Sequence, residues 1–355
     1  MKRYYTFDVL IIGAGQAGLA TGYFLAKKAV NFAIIEKNEK IGDNWRFRWD
    51  SLKLFSPSEY NNLPGKPFPK GPGLFPTKDE VANYLEYYAE EFKLPVLTGT
   101  SAESLGVENS TFAITTNRGI YRARQVVIAT GAFQTPYIPS FSTNLTDKVY
   151  QVHSSRYKNP SQLPEGDILV VGTGNSGVQI ALETSKLRDR VYLSGRKMPS
   201  LPRRFLGKDV YWWYYKLRFA TATLDSFIGK WLYRREQNKG EPLLGISMKD
   251  VLESRKIVHV PSVKAVKNDM IILEDNQDLQ VRNIIWATGF RNDYSWINLD
   301  VLDKQGKPLH KRGVATKIRG LYFIGLNWLY RANSSNIGGV GRDAEYIASE
   351  IIQNR

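Results

Sequence analysis

The feature that most constrains this chain is a glycine pattern that occurs twice. Gly13-Ala14-Gly15-Gln16-Ala17-Gly18 follows the apolar run Phe7 to Ile12 and opens a helical pattern, Gln16 to Lys28. Gly172-Thr173-Gly174-Asn175-Ser176-Gly177 begins 159 residues later, after Ile168 to Val171 and before a helical stretch, Val178 to Leu187. A second matched pair accompanies the first. Val126 to Gly131 and Ile284 to Gly289 are apolar runs that both end in Ala-Thr-Gly, at Ala129-Thr130-Gly131 and Ala287-Thr288-Gly289, with their last glycines 158 residues apart. Two repeats at nearly one offset predict two related units, each opening as strand, glycine turn and helix.

The G-x-G-x-x-G spacing has a physical reading. The first glycine permits a tight turn, the second lets backbone approach a pyrophosphate, and the third allows helix and strand to pack closely. The helix start then offers unpaired N–H groups and a positive dipole end to phosphate. Glu36 lies 18 residues past Gly18, at the end of the next strand (Phe32 to Glu36), where a carboxylate accepts hydrogen bonds from ribose hydroxyls. In the second unit the matching place, 18 residues past Gly177, is Gly195, followed by Arg196 and Lys197. A guanidinium there suits a 2′-phosphate, which predicts NADPH over NADH; solvated loop cations are the plainer alternative. The fold class expected is α/β, with two nested Rossmann-like three-layer domains. Residues 1–155 and 291–355 form the first, FAD-binding domain, and 156–290 the inserted NADPH-binding domain.

Between these landmarks, 41–76 reads as a long irregular stretch rich in Pro, Gly and aromatics. Thr77 with Glu80 forms a capping box for a helix to Phe92. Short strands are expected at Phe112 to Thr115, Ile120 to Arg122, Val126 to Ala129, Arg190 to Leu193 and Leu321 to Ile324, and a final helix from about Gly338 to Ile352.

Composition removes other classes. The chain has no cysteine, which excludes disulfide scaffolds, thiolate metal sites and thiol redox chemistry. Three scattered histidines, His153, His259 and His310, argue against a metal site. The net charge of +15 is spread along the chain without a nucleic-acid module, so a solvated surface is expected and no nucleic-acid partner. Lys2 and Arg3 precede an apolar run of only four residues, Val9 to Ile12, and no stretch approaches the ~18 apolar residues of a membrane span. A soluble, cytoplasmic protein without stable membrane insertion is the expectation; a homodimer is left open.

At this point the sequence resembles the flavin-containing monooxygenase family, especially its small bacterial, cation-transport-associated members, over almost its whole length. Ile41-Gly42-Asp43-Asn44-Trp45 is similar to the family's I-G-G-x-W segment, with Asp43 in place of the second glycine, and implies Gly42 and Trp45 as flavin contacts; a plain core aromatic is the other reading of Trp45. Trp286 to Phe290 resembles the family's A-T-G-[YF] motif, which joins the domains. The identifying pattern F-x-G-x-x-x-H-x-x-x-Y is half present, with His153 and Tyr157 matching and Asp147 and Val149 departing. Where larger members carry a catalytic Asn after a Ser, this chain has Ser56-Pro57, with Asn61 and Asn62 nearby but unaligned. No catalytic side chain is named on these grounds. The resemblance implies that NADPH reduces FAD, that O₂ adds at flavin C4a to give a hydroperoxyflavin, and that its distal oxygen passes to a nucleophilic sulfur or nitrogen of a small molecule. A cysteine-free reductase of ferredoxin-reductase type and a non-catalytic nucleotide-responsive regulator stay open.

Two segments carry weaker expectations. Gly325, Ser335 and Asn336, near the last helix, are candidates to face the flavin N1–C2=O locus, with an ordinary helix cap as the alternative for the latter two. Trp213, Leu217, Leu224, Ile228 and Trp231 fall at helical spacing. That predicts one apolar helix face packed on its own domain, with a substrate lid next and a membrane-facing surface after it.

Overall fold

In the computed structural model, which describes residues 4–239 and 241–354, the two units form two parallel sheets. The first runs, in spatial order, Val96–Leu97, Phe32–Ile35, Tyr4–Ile12, Gly119–Ile128 and Leu321–Phe323, all parallel. Val9 to Ile12 are almost fully buried, as a strand covered on both faces requires. The first helix, Gln16–Ala26, and the closing helix, Gly341–Gln353, pack together over this sheet. An antiparallel meander, Ala102–Glu108 and Thr111–Thr116, extends from the strand Gly119–Ile128.

The second sheet is ordered Ile257–Val260, Val191–Ser194, Ile168–Val171, Asn283–Trp286 and Tyr150–His153, again all parallel. Tyr150–His153 therefore pairs in the second sheet, although the expected boundary at 155 would leave it with the first. The chain passes between sheets along Thr135–Pro136 and returns along Phe290–Arg291, and these two crossings pair with each other as an antiparallel ribbon.

Several element bounds differ from expectation for local reasons. Gly119–Ile128 is one strand, because its outer half pairs with both Tyr4–Ile12 and Thr111–Thr116. The second unit's helix is Asn175–Thr184, so Asn175, Ser176 and Gly177 are its first turn and it ends before Leu187. The closing helix begins at Gly341; Ser335 and Asn336 lie in the coiled turns that precede it, so helix capping does not explain them. The expected aromatic helix is two helices, Val210–Lys216 and Phe227–Lys239, separated where Arg218 takes φ +58°. The capping box is present: the Glu80 N–H donates to Thr77 Oγ1 (3.2 Å) and the Thr77 N–H to Glu80 Oε2 (2.8 Å).

The irregular stretch 41–76 is held on the helix Lys78–Glu91. Tyr84 donates to the Lys66 carbonyl and accepts from the Leu63 N–H, both at 2.7 Å, and Tyr88 donates to the Pro64 carbonyl at 2.7 Å. These buried phenols satisfy backbone groups that the loop cannot pair within itself.

Candidate functional site

The two glycine turns have the same geometry, residue for residue. Gly13 and Gly172 sit at φ +109° and +114°, and each N–H donates to the strand beside it, Ile35 O and Ser194 O, both at 2.8 Å. A Cβ on Gly13 would stand 2.6 Å from the Ala129 carbonyl oxygen, and one on Gly172 2.3 Å from that of Ala287. Ala129-Thr130-Gly131 and Ala287-Thr288-Gly289 thus form the floors of the two turns. Gly15 and Gly174 differ from their neighbours: nothing of the protein lies within 4 Å of a Cβ placed on either. Neither following helix has a side-chain cap, so no side chain accepts from its first-turn N–H groups. An open face, missing side chains and an uncapped helix dipole are what a pyrophosphate needs.

Glu36 stands beside the first turn. Its Oε2 accepts from the Ala14 N–H (2.9 Å) and its Oε1 from the backbone and side chain of Asn38 (3.0 and 2.7 Å). A carboxylate has about four acceptor positions, so capacity for one ribose hydroxyl is left. In the second unit, Ser194 corresponds to Ile35, which puts Gly195 in the place of Glu36. Gly195 has φ +141° and its carbonyl oxygen lies 2.7 Å from His259 Nε2. Arg196 and Lys197 are exposed next to it, and the Thr173 hydroxyl donates to the Arg196 carbonyl at 2.6 Å, tying this loop to the turn.

The crossing ribbon brings the two Ala-Thr-Gly turns toward one place. Gln134 Nε2 donates to Thr130 Oγ1 (2.9 Å) and to the Gly131 carbonyl (2.8 Å), while Gln134 Oε1 accepts from the Asp293 N–H on the return strand (2.7 Å). The Thr288 hydroxyl donates to the Tyr137 carbonyl. His153 Nε2 meets the Gly289 carbonyl at 3.0 Å, and Nδ1 accepts from the Ser155 N–H at 3.1 Å, which fixes a neutral Nε2–H tautomer. Burial lowers the His153 pKa, and Arg48 pushes in the same direction. The Arg48 guanidinium stacks over Phe290 (4.9 Å) and Phe133 (5.9 Å), one aromatic from each crossing. Tyr157, wholly buried, donates to Glu183 Oε2 at 2.9 Å; it is a strut to the second unit's helix.

Gly325 sits at φ +78°, with a Cβ there 2.9 Å from that of Ala17, so it follows its strand directly under the first helix. Gln16 Nε2 donates to the Ser335 carbonyl at 3.1 Å. Gln16, Gly131, Gly325 and Ser335 are therefore gathered at one end of the first sheet, while Asn336 contributes turn hydrogen bonds to Gly339 and Val340. Gly42, at φ +86°, packs against the backbone of Ala82, and Trp45 is half-buried against the first core, so packing accounts for both. Asn61 is spent: it donates to the Ser56 and Pro57 carbonyls (3.1 and 2.8 Å) and accepts the Ser56 hydroxyl (2.8 Å). Asn62 closes a turn with Glu59 and Phe68.

The segment 199–246 roofs this end of the first unit. Tyr215 stacks on Tyr60 (4.7 Å) and meets Asn333 Nδ2 at 3.4 Å, while Asn333 Oδ1 is buried without a partner. Backbone bonds from Asn333 to Ala220, Ala332 to Ala222 and Leu224 to Tyr330 stitch the roof to the turns before the closing helix. Arg203 pins the other edge, donating to the Phe55 carbonyl (2.7 Å) and Asp209 (2.8 Å) over the Phe75 ring. The sequence shows these as separated aromatics and lone cations. Arg48, Gln134, Arg203, Tyr60 and Asn333 carry no motif and become visible only where the chain returns on itself.

Residues 10–205 match the family model described as pyridine nucleotide-disulphide oxidoreductase. The chain belongs to that family. An oxidoreductase of this family without a cysteine passes no electrons through a thiol pair of its own. A CzcO-like oxidoreductase from Geobacillus kaustophilus is 50% identical over 98% of this chain and 99% of its own length. The flavin-containing monooxygenase from Stenotrophomonas maltophilia superposes with a TM-score of 0.79 at 26% identity, covering 98% of this chain and 99% of its own. The probable indole-3-pyruvate monooxygenase YUCCA9 of Arabidopsis thaliana is 28% identical over 96% of this chain and 88% of its own length. This member of the pyridine nucleotide-disulphide oxidoreductases has the FAD- and NADP-binding flavoprotein fold and is a flavin monooxygenase-like oxidoreductase.

Proposed function

We propose that this chain is an NADPH- and FAD-dependent monooxygenase that delivers one oxygen atom of O₂ to a nucleophilic sulfur or nitrogen of a small molecule. The reaction balances as NADPH, a proton, O₂ and substrate giving NADP⁺, water and the oxygenated product. When bound, FAD supplies the reactivity toward oxygen and NADPH the two electrons. The observation that carries the reading is the pair of matching open cradles at Gly15 and Gly174, one beside Glu36 and the other beside Arg196.

On this reading the first turn and the Gln16 helix start hold the FAD pyrophosphate, Glu36 its ribose, and Gly131, Gly325 and Ser335 the backbone around the flavin. Gly174, Asn175, Ser176 and Gly177 hold the NADPH pyrophosphate, and Arg196 with Lys197 its 2′-phosphate. His153, kept neutral, fixes the Gly289 carbonyl at the crossing, so the second floor keeps its orientation. The roof over Tyr60 and Asn333 excludes water from the site, which strengthens every polar contact inside it.

A second reading, an electron-transfer reductase, is favoured by one observation: Asn61 and Asn62 are both fully engaged in their loop. Two steps separate the readings. Anaerobic NADPH should bleach the flavin of the purified protein, and its failure would remove both enzymes. Mixing the reduced protein with O₂ should then give a transient band near ~370 nm before the flavin reoxidises; reoxidation without that band supports the reductase.

A further inference from the structure

The roof turns an unusual face outward. In the helix Phe227–Lys239, Phe227, Ile228 and Trp231 are 87, 48 and 52% exposed. At about 100° per residue, positions 230, 234, 227, 231, 235 and 228 fall on one continuous arc, and 232, 236, 229 and 233 on the opposite one. The second arc docks the helix. Gly229 is buried with its Cα side hard against the Thr223 carbonyl, Glu236 accepts the Trp328 indole N–H at 2.8 Å, and Tyr233 meets the Trp328 ring at 5.6 Å. The outward arc holds Phe227, Trp231 and Ile228 with Lys230, Arg234 and Arg235 among them, all exposed. Arg235 reaches over the Trp231 ring at 5.7 Å.

This is the reverse of an ordinary surface helix, whose apolar side faces the protein. The charge is equally lopsided. Between 199 and 246 there are nine Lys and Arg against four Asp and Glu. Of those four, Asp209 pairs with Arg203 and Glu236 with Trp328, so the acids are partly withdrawn. Leu217, at the end of the neighbouring helix, is also exposed.

We infer that this helix is a reversible docking surface for an anionic phospholipid bilayer, with Phe227, Trp231 and Ile228 entering the headgroup boundary and Lys230, Arg234 and Arg235 meeting lipid phosphates. Charge complementarity chooses this occupant. A symmetric dimer through the same arc would set those three cations against their own copies, which repel. A nucleic acid offers phosphates but no apolar layer for Ile228 and Leu217. An interfacial helix with aromatic and aliphatic residues amid Lys and Arg fits a bilayer surface in both respects.

The test uses the flavin-loaded full chain and sedimentation with vesicles of phosphatidylcholine alone or with about one third phosphatidylglycerol. Binding should be confined to the anionic vesicles and weaken with salt. Each surface cation strengthens such binding about five-fold, so K230E/R234E/R235E should lose ~100-fold or more. F227S/W231S should also bind more weakly, with its salt dependence kept. These positions are exposed, so flavin content and melting temperature should match wild type. As a measure that needs no multiple variant, brominated acyl chains should quench wild type more than W231F. The inference is overturned by any of four results: no binding to anionic vesicles, binding indifferent to the charge reversal, a wild-type dimer that F227S/W231S converts to monomer, or an RNA duplex that binds this face more tightly than vesicles do.

Discussion

Gly18 lies over Gly13 so closely that a Cβ at position 18 would stand 1.9 Å from the Gly13 carbonyl oxygen, and Gly177 repeats the relation over Gly172 at 1.8 Å. The contact is with backbone, which cannot rotate away. The middle glycines, Gly15 and Gly174, have no such neighbour. Their absent side chain matters to whatever lies outside the turn.

These positions should therefore separate by readout. G18A should cost ~3 kcal/mol or more of stability, in the range of severe core strain. G15A, whose backbone angle an alanine adopts easily, should keep the melting temperature within a few degrees and lose FAD affinity by ~100-fold. Thermal melts and flavin titration of the two purified variants check this. An unstable G15A that still binds flavin normally would show that the cradle is misread.

Arg196→Ala should raise the KM for NADPH by ~30-fold or more while leaving NADH nearly unchanged, because a charge-assisted bidentate contact to the 2′-phosphate is lost and no other. Steady-state kinetics with both nucleotides decides it. An equal loss with both would place Arg196 elsewhere.

His153 sets a pH dependence. Burial lowers its pKa, so the unfolded chain takes up this proton at a higher pH than the folded one. The stability it contributes is full above the ordinary histidine range near 6.5 and is lost as pH falls through its lower folded value. His310, also lowered by burial, acts in the same direction. Urea denaturation from pH 7.5 to 5 should show wild type losing stability more steeply than His153→Gln. Glutamine can still donate to the Gly289 carbonyl but does not titrate, so parallel curves would count against the neutral tautomer.

Asn61 should prove structural. Its carboxamide donates to two carbonyls and accepts one hydroxyl inside a single loop. Asn61→Asp would turn a carboxylate toward the Ser56 and Pro57 carbonyls and cost about 3 kcal/mol, whereas Asn61→Ala should cost about 2. Flavin reoxidation by O₂ in the folded fraction should be unchanged in both. A specific loss of that step with stability intact would return Asn61 to the chemistry.

The sequence by itself determined the two units and their openings. A glycine that must turn, a glycine that must not obstruct and a glycine that must pack are each local demands, and so are the capping box at Thr77 and the buried strand Phe7 to Ile12. Glu36 and Arg196 were legible for the same reason, since one strand length fixes their distance from the turn. Tertiary structure decided the rest. Tyr150–His153 joined the second sheet because Asn283–Trp286, more than a hundred residues on, offered it an edge. The aromatic stretch broke into two helices because its middle pairs with Tyr330 to Asn333. Arg48 gained meaning only from two phenylalanines that arrive on separate crossings. Contacts between distant segments are set by which surfaces remain to be buried after local structure forms, and no periodicity in the chain records that.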